Sequence, residues 1–140
     1  MHKTNKIYRR IFTDLLLVVV GVSIIFISSL LQHIKIPKEQ EYLFSSFLNY
    51  NFTKPVGVVF FITALLIGCL FKLNPWEVAL CLFVVFPITS IVEGAFYPDS
   101  HNLIPFEFAM YFIYALPSII AVYIGKFISK QLAKRKLSAV

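Results

Sequence analysis

Charge is what this chain has least of. Only 14% of its 140 residues are charged and seven are acidic, while 59% are hydrophobic and the mean hydropathy is +0.80. That balance excludes an ordinary soluble domain. Cysteine is down to Cys69 and Cys81, which read as small buried hydrophobes kept reduced rather than as a redox pair. There is no Gly-rich phosphate loop, no Ser/His/Asp order, no Cys-x-x-Cys, no His-x-x-x-His and no haem-binding pair of intramembrane histidines, so no familiar catalytic or cofactor motif is written in the chain. The formal charge of +6 could suggest nucleic acid. Yet the basic residues stand at the ends of apolar runs rather than along one face, which suits membrane topology and lipid headgroups and gives no nucleic-acid partner.

What is present is apolar sequence in lengths that fit a bilayer. A spanning helix needs roughly 17–25 mainly apolar residues, and four stretches qualify, at about 11–31, 55–71, 75–96 and 106–128. The first follows basic residues as a signal peptide does. It is longer than an h-region and no small-x-small site follows, so it is expected to be retained as a helix. Within 38–50, Leu43, Phe44, Phe47 and Leu48 recur at the spacing of an amphipathic helix. This helix is expected in the outer interface or over the helix ends. The expected fold is thus an all-α integral membrane protein forming one domain: a four-transmembrane-helix bundle with an amphipathic interfacial helix between helices 1 and 2 and a basic tail at 129–140.

Lys and Arg counts give the orientation. The N-terminus holds Lys3, Lys6, Arg9 and Arg10, the loop between helices 2 and 3 holds Lys72, and the C-terminal end holds Lys126, Lys130, Lys134, Arg135 and Lys136. The opposite loops hold only Lys35, Lys38 and Lys54. Ten against three places both termini in the cytoplasm, in the plasma (inner) membrane. At the cytoplasmic end of helix 1, Asp14 is expected to complement the helix dipole.

Two of the stretches open alike. Pro75-Trp76-Glu77 is matched thirty residues on by Pro105-Phe106-Glu107, and twelve residues after each opening proline stands another, Pro87 and Pro117. Asn74, Pro75 and Glu77 are the grammar of a helix start. Pro87 and Pro117 are helix-kink candidates, because proline removes one backbone hydrogen bond and clashes with the carbonyl four residues back. Interruptions at matching depth in inverted units point to midplane binding sites in transporters, whereas proline is also simply tolerated in membrane helices.

The chemistry-bearing residues gather at the other face. Glu93, Asp99, His101 and Glu107 lie in or beside a loop without Lys or Arg, and His33 ends helix 1 at similar depth. All five are ligand-binding or proton-linked candidates. Glu93 stands about one turn inside its span, where an ionisable group is expected to face the bundle interior or water. Glu107 has a structural excuse in the helix dipole. Imidazole and carboxylate would suit a divalent transition metal, with His101 and Glu93 as its ligand candidates, although their spacing matches no zinc signature. Asn102-Leu103-Ile104-Pro105-Phe106 resembles the Asn-Leu-x-Pro-Phe sequence of VanZ-like membrane proteins, over five of the 140 residues and ahead of the last helix.

The reading that results is a small polytopic membrane protein without enzymatic activity. It would bind a small molecule or lipid, or act as an accessory subunit, through an outer-face polar cavity, with the bilayer and further copies or a larger complex as partners. Two alternatives come from other classes: a small oligomeric transporter using the kinked helices 3 and 4, and a membrane-embedded enzyme acting on a lipid at the outer face. The sequence names no cofactor.

Overall fold

The computed structural model describes residues 2–33, 44–97 and 104–137, with side chains described over 7–33, 44–97 and 105–135. Every element among them is helical: α1 (His2–Gln32), α2 (Phe44–Asn51), α3 (Lys54–Leu70), α4 (Pro75–Phe83), α5 (Val85–Phe96) and α6 (Ile104–Leu137). The helical stretches Ile7–Gln32 and Pro105–Arg135 are each long and apolar enough to cross a membrane. The remaining helices form two bent pairs, α2 with α3 at 84° and α4 with α5 at 45°, which bring the count to four if each pair is one span. The architecture is all-helical and compatible with a membrane protein.

Local chemistry sets the helix ends. α1 stops at His33, whose φ of 47° is the left-handed conformation that closes a helix. Thr53 donates its hydroxyl to Gln32 Oε1 at 2.9 Å, tying the end of α1 to the start of α3. α4 begins as its sequence implies: Asn74 Oδ1 accepts from the Trp76 amide at 3.1 Å, and Pro75 fills a position that needs no donor. Glu77 takes a different partner from the expected capping box, accepting from Arg10 Nε of α1 at 2.7 Å. Asp14 is displaced from its expected role as well. α1 begins at His2, its first turn contains no acid, and Asp14 therefore lies too far along the helix to meet the dipole.

The two internal prolines behave differently. Pro87 cannot donate to the Phe83 carbonyl, and the helix breaks beside that carbonyl, at Val84, with the 45° bend. Beyond the break Ile88 N reaches Val84 O at 3.2 Å, and the Thr89 hydroxyl donates to Val85 O and Phe86 O at 2.9 and 2.8 Å. α6, by contrast, runs through Pro117 as one helix. Pro117 lies on its exposed side, while Ala115, Ser118, Ile119, Ala121 and Val122 around it are buried. Buried neighbours thus flank Pro117 on α6, and of the two internal prolines only Pro87 stands beside a break between helices. α6 also continues to Leu137, which makes most of the basic tail helical, as its Lys, Leu, Ala and Arg residues favour.

Helices in lipid gain little from hydrophobic burial against one another, so close packing must hold them together. The most extensive contact among the described residues is α3 on α6, and glycine makes it. A Cβ at Gly68 would come within 2.5 Å of Val122 O, and one at Gly125 would strike Leu65 O. Gly21 likewise lets α1 lie on the Leu82 carbonyl of α4. Between these contacts sits an aromatic core: Phe52 stacks on Tyr114 at 4.3 Å and meets Phe60, Phe83 and Phe86 at 5.8–5.9 Å. Gly68→Ala and Gly125→Ala are each expected to lower the stability of the detergent-solubilised protein by about 1–3 kcal/mol. Gly57→Ala, which meets nothing closer than Phe52 at 4.0 Å, should stay within about 0.5 kcal/mol of the parent. Thermal unfolding checks this, and equal stability in all three variants would contradict it.

Candidate functional site

The polar residues around Glu93 are drawn together by α2. Glu93 lies one turn before the end of α5, and both of its carboxylate oxygens accept from the backbone amide of Ser45, at 3.1 and 3.2 Å. Ser45 is the second residue of α2, so this amide is one of the first-turn donors left without an intrahelical partner. A carboxylate there meets both the N–H and the positive end of the helix dipole.

One turn earlier on α5, the buried Ser90 Oγ lies 2.7 Å from the Tyr111 hydroxyl of α6. That hydroxyl also receives Asn49 Nδ2 of α2 at 3.4 Å and reaches Glu107 Oε2 at 3.5 Å. A phenol has one proton to give. If Tyr111 gives it to Glu107, it accepts from Ser90 and Asn49, and one hydroxyl joins α2, α5 and α6. Asn49 Oδ1 remains buried without a hydrogen-bond partner among the described residues. An unanswered buried acceptor costs about 1–3 kcal/mol, so among the described residues the cluster is short of one donor.

Of the four residues spaced for an apolar face, Leu43 lies outside the described residues and the other three pack. Leu48 is fully buried, and Phe44 and Phe47 lie against Phe26 of α1, with centroids 6.0 and 5.5 Å away. α2 thereby covers the polar cluster and is fixed to α1 by aromatic contact and to α5 by Glu93.

Of the sequence candidates, Glu93 and Glu107 belong to this cluster. His33 is exposed at the end of α1 and stands apart from this cluster, while Asp99 and His101 lie outside the described residues. Among the described residues no group of three or more His, Cys, Asp or Glu side chains could hold a metal ion. The sequence reading missed Ser90, Asn49 and Tyr111. Two of them carried a signal, since Ser90 and Tyr111 stand three and four residues from Glu93 and Glu107 on the same helix faces.

A second polar region lies at the opposite, N-terminal end of α1. Beside the Arg10–Glu77 pair an open cavity of about 620 Å³ is lined by Arg9, Arg10 and Thr13 from α1, by residues 71–74 between α3 and α4, and by Glu77. Asp14 Oδ1 is buried nearby in sequence without a partner among the described residues. In comparison with known proteins, no family model, no curated protein and no solved structure matches this chain.

Removing the carboxylate should loosen α2 alone. Glu93→Ala deletes a charge-assisted bond of about 1.5–3 kcal/mol, so amide exchange across 45–51 is expected to rise by about tenfold or more. Exchange in the middle of α6 should not change. Hydrogen–deuterium exchange of the purified protein checks it, and unchanged protection of α2 would contradict the clamp.

Proposed function

We propose that this chain is an integral membrane protein of four spans, with both termini in the cytoplasm, that binds a small molecule or lipid at its outer end. It would serve as a binding or accessory subunit of the plasma (inner) membrane, alone or with further copies. In this reading α3 is one span and the bent pair α4–α5 another, and α2, at 84° to α3, lies in the outer interface as a cover over the polar cluster.

The observation that carries the reading is Asn49 Oδ1, a buried acceptor without a partner among the described residues, beside the hydroxyl that joins three helices. With Glu93 and Glu107 in the same cluster, the group that fits is a hydrogen-bond donor such as an amine, amide or hydroxyl. Such a ligand would satisfy Asn49 and draw on the same acceptors that hold α2.

Two experiments test this. Native mass spectrometry of the protein extracted from its membrane should find a small molecule or lipid retained by the parent and lost from Asn49→Leu, with both equally folded. Identical spectra, or a parent that retains nothing, would count against the site. For topology, a membrane-impermeant thiol reagent should modify Ser100→Cys from outside but not Ser138→Cys, and the reverse labelling would overturn the orientation.

A further inference from the structure

The groove at the N-terminal end of α1 has a chemistry of its own. Three cations, Arg9, Arg10 and Lys72, line it against one acid, Glu77. Arg10 is engaged by Glu77, which leaves Arg9 and Lys72 as positive charge without an ion pair among the described residues. The Thr13 hydroxyl proton is spent on Arg9 O at 2.8 Å. Phe71 and Leu73 supply an apolar wall. At about 620 Å³ the space suits a small ligand.

We propose that this groove binds a phosphate-bearing anion, held by Arg9 and Lys72 with its apolar part on Phe71 and Leu73. A guanidinium presents a planar fork that matches phosphate oxygens, and an ammonium adds a compact charge. The Arg10–Glu77 pair positions the groove by joining α1 to the first turn of α4. The proposal rests on the membrane reading, since the groove adjoins the end of the span Ile7–Gln32, where headgroups lie. It does not depend on the ligand at the opposite end. The phosphate could come from an anionic lipid headgroup or from solution, and the two are separable.

The full chain would be placed in phosphatidylcholine nanodiscs and its thermal midpoint followed by Trp76 fluorescence. One arm adds increasing phosphatidylglycerol and the other adds inorganic phosphate. The parent should show a saturable rise in midpoint in at least one arm. A rise with the lipid only assigns the site to a headgroup, and a rise with inorganic phosphate assigns it to a soluble anion. Arg9→Gln/Lys72→Gln should weaken the apparent affinity by about tenfold or more. Lys130→Gln/Lys134→Gln removes the same charge from residues outside the groove and should behave as the parent does. No saturable shift in either arm would overturn the proposal. Equal weakening in both double variants would do so too, because it would reveal diffuse attraction to basic residues and no site.

Discussion

A carboxylate on an apolar helix must be answered by something, and here Glu93 takes main chain as a partner. Its two oxygens on Ser45 N fix the start of α2 over the end of α5, and much of the architecture at this end follows. With its N-terminus held, α2 can set Leu48 into the core and Phe44 and Phe47 on Phe26. The chain then turns by 84° into α3, and Phe52, at the turn, reaches the aromatic core that joins α3, α4, α5 and α6. The polar cluster beneath α2 is shielded for the same reason.

Elsewhere the helices are joined by close approach of their backbones. Helices that gain little by hiding apolar side chains from one another must bring their backbones close, and Gly21, Gly68 and Gly125 are where they do so. The bend at Val84 works with this packing, allowing Trp76 at the start of α4 to stack on Phe112 while Phe86 beyond the break packs on Tyr111. The two ends of the bundle differ in character. One holds acids, hydroxyls and amides beneath a short helix, and the other holds basic charge without an ion pair among the described residues, around an open groove.

The parts of this legible in the sequence were those with local causes. Asn74 and Pro75 announce the start of α4, Pro87 announces a break near its preceding turn, and the spacing of Phe44, Phe47 and Leu48 announces a buried face. Pro117 carries the same local signal as Pro87 and leaves its helix uninterrupted, because buried neighbours on α6 outweigh one lost hydrogen bond. The partner of Glu93 was invisible for another reason: a backbone amide has no letter in the sequence. Arg10 and Glu77 stand 67 positions apart, so nothing short of the tertiary fold joins them. Tyr111 was hidden in an apolar run, where one hydroxyl looks like any aromatic residue.

In the proposed topology α2 lies across the outer end of the bundle, and its depth in the bilayer tests that most directly. Spin labels at Ser46→Cys and Tyr50→Cys, on one face of α2, can be introduced with Cys69 and Cys81 replaced by alanine. Their relative accessibility to oxygen and to a water-soluble nickel complex in a bilayer then gives two depths. Equal depths near the headgroups are expected. Depths differing by about 6 Å, the rise of four helical residues, would show α2 upright and contradict it.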